Sequence, residues 1–404
     1  MQKSKHLIFL PYLFLLLAFY FDTDPNGGAL KDYLYHKSIM EDFKIDFLGT
    51  LFSYDEYATR HSPVLYMFLS LFLNFEIHDY LIRLFFLHTC LLLPIIFYKC
   101  LTLKYKSVRR DYLKLFACIV FLSPSFLSLT IWPDSRILGL LLFSCSIFYF
   151  LKFKEDRNFF TAIKIILFYT VASYISPNFS VFSIYFFYFF FKEFRLDKKI
   201  LFIILLNFIL ALPAIFYILN LDEIFLFKSA VPDNTIQKSD YFNISNKLLA
   251  IPSIIFFYCL PFLFTKSIKI KIIDYKNILL SFLFLIVLSF SFDYNPNYTG
   301  GGIFFKISHY LTGNNYIFFV VSFFSILFLL NIIKIGKENL LIIILLILSN
   351  PQYTIYHKYY DPFILILFLL LFKINFSKKN LFNIRTIFIF YLHMGFFLIL
   401  NFIK

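Results

Sequence analysis

A succession of apolar runs, each close to the length needed to cross a bilayer, limits what this 404-residue chain can fold into more than any other feature. The runs lie near 7–21, 79–98, 115–131, 137–151, 162–177, 180–192, 200–218, 249–264, 277–292, 316–333, 339–350, 361–373 and 385–402. A hydrocarbon core about 30 Å thick needs ~20 apolar residues in a helix, the one open-ended structure that satisfies its own backbone in lipid. The pattern predicts an all-α, polytopic transmembrane bundle of about 11–13 spans, forming a single integral membrane domain over 1–404. Composition points the same way: 60% of residues are hydrophobic and 15% charged, where a soluble domain carries roughly a quarter charged. The stretch 63–75 is too short to span and reads as an interfacial or partly inserted helix.

The N-terminus, Met-Gln-Lys-Ser-Lys-His followed by an apolar run, resembles a signal peptide without a small-residue cleavage site, and an uncleaved signal anchor is expected. Five cysteines (Cys90, Cys100, Cys118, Cys145, Cys259) are scattered in or beside apolar stretches without a C-x-x-C, so neither a disulfide framework nor a zinc site is indicated. The 62 Phe against one Trp reflect the codon bias of an AT-rich genome, not a stacking function.

With the N-terminus inside, the loops alternate. The inner segments (the N-terminus, 99–114, 152–164, 192–199, 265–276, 334–338 and 373–385) hold 26 Lys and Arg against 7 Asp and Glu. The rest of the chain holds 12 against 17. Lys and Arg accumulate on the cytoplasmic side of membrane proteins, so the net charge of +14 reports orientation and not nucleic-acid binding. The expected setting is a bacterial inner (plasma) membrane, with the N-terminus cytoplasmic and the functional face periplasmic.

Polar residues without a topological reason gather in the outer segments 22–62, 132–136, 219–248, 293–315 and 350–360. The first outer loop, 22–62, opens with Asp22-Thr23-Asp24-Pro25-Asn26-Gly27-Gly28, a turn after which an amphipathic helix is predicted. On that helix Asp32 and His36 are four apart and share a face. A carboxylate beside an imidazole serves as a general base, or binds a divalent metal ion with a third ligand; the competing account is a solvated interfacial helix. Arg60 and His61 stand where the chain re-enters the membrane and suit a phosphate, or snorkel to the headgroups. Trp132 sits at interface depth as an anchor, and Asp134 and Arg136 share its short turn as a local ion pair or a binding group. Gly300, Gly301 and Gly302, followed by Lys306, offer backbone amides to an anion or form a flexible loop. His357, Lys358 and Asp361 make an ionisable cluster at the outer end of a span, with an ion-paired helix cap as the competitor.

The order of these features resembles the GT-C superfamily of polytopic glycosyltransferases. An anchor helix is followed by an acidic outer loop, the segment Arg60-His61-Ser62-Pro63-Val64-Leu65-Tyr66-Met67, and a helix opened by Tyr80-Leu81-Ile82-Arg83-Leu84. Within that superfamily the chain is similar to the protein O-mannosyltransferases and the lipid A aminoarabinose transferases (glycosyltransferase family 39-like). Those enzymes carry a Lys-Pro-Pro-Leu-Tyr-like segment and a later Arg-Leu-Pro; here His-Ser-Pro replaces Lys-Pro-Pro, and no adjacent Asp-Glu pair is present. The motif similarity covers roughly residues 1–90. The resemblance implies an enzyme that moves a sugar from a polyprenyl-phosphate donor to a lipid, glycan or protein acceptor on the non-cytoplasmic side. Its catalytic base would be an aspartate of the first outer loop, Asp32 in preference to Asp24. His36, Arg60, His61, Asp134, Arg136, Lys306, His357 and Lys358 are the substrate- and phosphate-binding candidates. No Walker motif or G-x-G-x-x-G is present, which speaks against a nucleotide-driven mechanism. A transporter or flippase for lipid-linked glycans is the alternative, and predicts charged residues in mid-span and broken helices in two matching halves. A polymerase or ligase for such glycans predicts a large outer loop late in the chain, whereas the longest here is the first.

Overall fold

A computed structural model of the chain describes residues 9–57, 59, 61–221, 243–268, 274–297 and 300–403. It is all-helical, with 79% of residues in helix and no strand among the described residues. The chain separates into two compact units, Met1–Pro232 with Phe397–Lys404, and Asp233–Phe396.

The first unit opens with α1 (Phe9–Tyr20), then α2 (Ala29–Ile45), α3 (Phe47–Phe52) and α4 (Val64–Asn74). It continues through α5 (Asp79–Cys90), α6 (Leu92–Lys104), α7 (Arg110–Ala117), α8 (Pro124–Ile131), α9 (Ser135–Asp156), α10 (Phe159–Ile175), α11 (Ser183–Phe194) and α12 (Lys198–Leu221). The amphipathic helix starts where the Pro-Asn-Gly-Gly turn places it: Gly28, at φ 109° as only glycine readily allows, precedes α2. One face of α2 (Tyr33, His36, Ile39, Met40 and Phe43) is buried, and α2 packs along α4. Helix α9 lies between α6 and α10, where Phe143 stacks on Phe179 at 5.0 Å. Gly139 lets the chain approach closely here, because a Cβ would stand 2.7 Å from the Ser176 Cβ.

The second unit contains α13 (Ile244–Phe264), α14 (Tyr275–Phe290), α15 (Ile303–Thr312), α16 (Tyr316–Ile335), α17 (Lys337–Leu348), α18 (Phe363–Leu370), α19 (Lys378–Leu381) and most of α20 (Ile384–Phe402). Helix α16 packs against α13, α14 and α15. Amide side chains knot these apolar helices together. Asn277 donates to Asn331 at 2.9 Å, and Asn339 donates to the carbonyls of Ile332 and Lys373 at 2.8 and 2.9 Å. Such bonds hold helices together where lipid offers no hydrophobic drive between them. At one end Lys334 reaches Asp274; that hydrogen bond holds the Asp274 carboxyl below the usual carboxylate range.

Six described helices are long and apolar enough to cross a membrane: Asp79–Lys104, Ser135–Asp156, Lys198–Leu221, Ile244–Phe264, Tyr316–Ile335 and Ile384–Phe402. A seventh forms if the pair Arg110–Leu122 and Pro124–Ile131, bent by 67°, counts as one span. The bend falls at Ser123-Pro124, where proline has no amide to continue the helix and Ser123 Oγ caps Phe126 N at 2.9 Å. These features are compatible with a multi-pass integral membrane protein. The difference from about thirteen apolar runs has local causes. The run 180–192 is broken by a 3-10 turn over Pro177–Phe182, which leaves twelve helical residues in α11. The run 361–373 yields only the eight residues of α18, all buried, so its apolar character serves the protein core. Only 11% of the apolar window of α12 is buried, against 72% of that of α13. An apolar surface as extensive as that of α12 needs lipid or a partner to cover it.

Candidate functional site

The first unit gathers buried polar side chains where α2, α4 and the start of α9 meet. His36, from the buried face of α2, stacks on Tyr66 of α4 with ring centroids 4.6 Å apart. It also meets the edge of His61 at 4.7 Å. His61 Nδ1 lies 2.7 Å from Ser135 Oγ, and an Arg136 amino nitrogen lies 3.2 Å from His61 Nε2. A guanidinium only donates, so Nε2 accepts and the ring proton sits on Nδ1, donated to Ser135. In this arrangement Arg136 is the cation, and His61 orients it. Tyr54 Oη donates to the His61 carbonyl at 3.0 Å, which fixes the entry to α4.

Asp134 is the N-cap of α9: Oδ1 accepts from Arg136 N at 2.7 Å. Its Oδ2 lies 3.5 Å from an Arg136 amino group, and both side chains are close to full burial. The sequence left a local ion pair and a binding group as alternatives, and the ion pair is present. Asp134 Oδ2 and Tyr66 Oη have no hydrogen-bond partner among the described residues. Leaving such atoms buried costs about 1–3 kcal/mol each, which a well-packed fold retains only for a reason.

The two aspartates of the first outer loop differ in what they do. Asp24 Oδ2 accepts from Gly28 N at 2.8 Å and Leu30 N at 3.2 Å, so it ties down the free amides at the start of α2. Asp32, a turn into α2, is half-buried and lies within electrostatic reach of the Tyr66 hydroxyl. Arg60 lies outside the described residues. Among the described residues no group of three His, Cys, Asp or Glu is placed to hold a metal ion, so a divalent ion at Asp32 and His36 lacks its third ligand there.

A second layer fixes this site; in the sequence Arg83 stood only within the segment that carries the resemblance and Trp132 only as an anchor. Arg83, 6% exposed on α5, donates from Nε to the Ile131 carbonyl at 3.1 Å and from a terminal nitrogen to Asp22 at 2.5 Å. Its guanidinium carbon lies 3.6 Å from the centroid of the Trp132 ring. Trp132, expected as an interfacial anchor, is 5% exposed and packs between Arg83 and Tyr33, whose ring centroid is 5.8 Å away. Its Nε1 donates to the Thr23 carbonyl at 3.3 Å. Tyr33 Oη donates to Asp79 at 2.6 Å, and burial, followed by that bond, pushes the phenol well above its ordinary range. An arginine inside an apolar run was the available signal for this layer, since such a charge must find partners in the interior.

On the other side of the start of α4 lies a cleft of about 630 Å³. Ser62, Pro63, Val64 and Met67 line it, facing residues of α10 and α12. Pro213, inside α12, is part of its wall. There Tyr174 Oη accepts from Ala214 N at 3.3 Å and donates to the Leu210 carbonyl at 2.6 Å, bridging backbone groups beside the proline. Tyr217 donates to the Leu51 carbonyl at 2.9 Å, Tyr169 to Asn207, and Ser62 to the Tyr174 carbonyl. Polar groups of the wall are thus used internally, which leaves the cleft apolar.

The remaining candidates belong to the second unit. His357 Nε2 accepts from Ile303 N at 3.0 Å and so caps α15; its Nδ1 lies 3.4 Å from Tyr258 Oη. The glycine run works by close approach. Gly301 N donates to the Ile355 carbonyl at 2.9 Å, and a Cβ on Gly300 would meet Tyr294 Oη at 2.5 Å. The Gly301 amide is therefore engaged by the protein itself. Lys306 is exposed on α15, and the Lys358 ammonium lies 5.3 Å from the Tyr356 ring centroid. A latch that no single stretch of sequence suggested joins α13 to the end of α14: Asp293 Oδ1 accepts from Asn243 and Asn246 at 2.5 and 2.7 Å.

Compared with models of known protein families, with curated proteins and with solved structures, the chain matches none.

Proposed function

We propose that the chain is a membrane glycosyltransferase that moves a sugar from a polyprenyl-phosphate donor to a lipid, glycan or protein acceptor on the non-cytoplasmic side. One observation carries this reading. The short stretch His61–Met67 borders a buried polar cluster with Arg136 on one side and an apolar cleft of about 630 Å³ on the other. An amphiphile with a charged head and a hydrocarbon tail fits that division: the tail lies in the cleft and the phosphate meets Arg136. The orientation inferred from loop charge puts the first outer loop, and the cluster with it, on the periplasmic side of a bacterial inner membrane. A bundle of about 11–13 spans remains part of this reading, with the shorter apolar helices completing the crossing.

The chemistry needs little else. The acceptor hydroxyl or amine attacks the anomeric carbon, the bond from that carbon to the phosphate oxygen breaks, and the electron pair leaves with the polyprenyl phosphate. Asp32 takes the acceptor proton, and Arg136, oriented by His61, stabilises the charge that grows on the departing phosphate. Asp24, engaged with the start of α2, positions that helix.

The test is to give the purified protein a panel of undecaprenyl-phosphate sugars and follow release of the carrier phosphate. Asp32→Asn is expected to slow release by at least ~100-fold, in the range of a lost general base. Asp24→Ala is expected mainly to lower thermal stability, by about 1 kcal/mol for a lost cap. Donors that all stay intact would overturn the transferase, and donor crossing the bilayer intact would favour a flippase. Consumption unaffected by Asp32→Asn would remove only the base assignment.

A further inference from the structure

Where the end of α9 packs beside the beginning of α10, two lysines meet on one aromatic ring. Lys152 Nζ lies 5.7 Å and Lys164 Nζ 5.5 Å from the centroid of Tyr149. Lys152 Nζ also lies 4.6 Å from the Phe148 ring centroid, and Tyr149 is itself stacked on Phe168 of α10 at 5.4 Å. The carboxylates close by in the chain are engaged elsewhere. Glu155 pairs with Lys106 at 2.8 Å, and Glu193 reaches Arg157 at 3.4 Å. Asp156 accepts from Asn158 N and Thr161 Oγ at 3.0 and 2.9 Å. Among the described residues no carboxylate pairs with Lys152 or Lys164. Two cations gathered on one ring without a counter-ion attract an anion.

The surroundings select which anion. Phe160, Lys164, Leu167 and Val171 follow one another at helical spacing on α10 and are all exposed. Lys164 therefore stands within an apolar stripe of the kind that lipid covers, with its ammonium free to reach the headgroups. A free phosphate gains nothing from Leu167 and Val171, whereas a phosphate that carries hydrocarbon chains meets both. We infer that Lys152 and Lys164 hold the phosphate of an anionic phospholipid, with its acyl chains along Leu167 and Val171. The segment 152–164 is assigned to the inner side, where a leaflet rich in anionic lipid attracts lysines close to its surface. The inference rests on the membrane setting and stands apart from the transferase reading.

The experiment uses the full chain, freed of lipid in a neutral detergent, and two probes with the same acyl chains, phosphatidylglycerol and phosphatidylcholine. Bound lipid is counted by native mass spectrometry, and thermal melting checks that each variant is folded. The wild type is expected to bind phosphatidylglycerol more tightly than phosphatidylcholine, and the more so at low salt. Lys152→Gln and Lys164→Gln are each expected to weaken phosphatidylglycerol about fivefold and to leave phosphatidylcholine unchanged. Lys106→Gln, which removes a lysine already paired with Glu155, is expected to leave both unchanged. A wild type that binds the two lipids equally would overturn the inference, as would unchanged phosphatidylglycerol binding when both lysines are replaced together. Equal weakening of both lipids would assign the face to the acyl chains alone and overturn the phosphate site. A loss from Lys106→Gln as large as that from Lys164→Gln would mean diffuse surface charge, and would overturn it too. Should the double variant fail to fold, Lys164→Gln, at an exposed position, decides alone.

Discussion

At the scale of single residues, Arg83 shows how much one buried charge can organise. It donates to the Ile131 carbonyl and to Asp22, and it stacks on Trp132. These contacts join the beginning of the first outer loop to the turn that carries Asp134 and Arg136. A lysine keeps the charge but loses the planar stack and the divided donation, so the exchange is not conservative here. Arg83→Lys is expected to destabilise the protein by about 2 kcal/mol, from a charge-assisted bond lost and a cation–π contact weakened. Trp132 is the only tryptophan in the chain, so its fluorescence reports this place alone. The variant should melt earlier and shift the Trp132 emission to longer wavelength. Unchanged melting and emission would show that Arg83 does not hold the turn.

At the scale of elements, Pro213 inside α12 lines the wall of the cleft, and Tyr174 bridges the backbone groups beside it. Tyr174→Phe leaves Leu210 C=O and Ala214 N–H without the hydroxyl that bridges them, in surroundings with little water. A loss of about 1–3 kcal/mol in thermal stability is expected. Pro213→Ala restores an amide inside the helix, so Pro213→Ala in the Tyr174→Phe background should recover much of that loss. Additive effects in this double-mutant cycle would show that the two positions are not coupled. The same element shows what was legible beforehand and what was not. The apolar run 200–218 predicts a spanning helix, and α12 is long and apolar enough to be one. That its proline would be bridged by a tyrosine from α10 depends on two segments nearly forty residues apart, and no periodicity in either encodes it.

At the scale of the whole molecule, orientation is the property most open to a direct test. The native cysteines form a quiet background: Cys90, Cys100, Cys118 and Cys259 are buried and Cys145 is partly so. Ser38, exposed on α2, belongs to the segment assigned outside. Lys106, whose side chain is 65% exposed as it pairs with Glu155 at 2.8 Å, belongs to a segment assigned inside. A membrane-impermeant maleimide added to intact cells should label Ser38→Cys at once and Lys106→Cys only after permeabilisation. The reverse pattern would invert the topology and put the buried cluster on the cytoplasmic side.

The sequence by itself determined the helical character of the protein and the apolar helices that suit a membrane, because so many apolar residues beside short basic loops leave few other solutions. It also located the start of the amphipathic helix at the glycine turn, and it put Asp32, His36, His61, Asp134 and Arg136 among the residues worth examining. Which apolar run forms a helix long enough to cross a membrane and which fills the interior was decided only in three dimensions. Hydropathy measures the preference to leave water, and lipid and protein core satisfy it equally, as exposed α12 and buried α18 show. The tertiary structure likewise decided which polar residues are committed to the fold and which retain unsatisfied atoms. Asp24 and His357 tie down the starts of helices, Asp134 caps α9 and pairs with Arg136, and the buried Tyr66 hydroxyl has no hydrogen-bond partner among the described residues. That distinction rests on the directions of single atoms from segments far apart in the chain, and it exists only once those segments have packed.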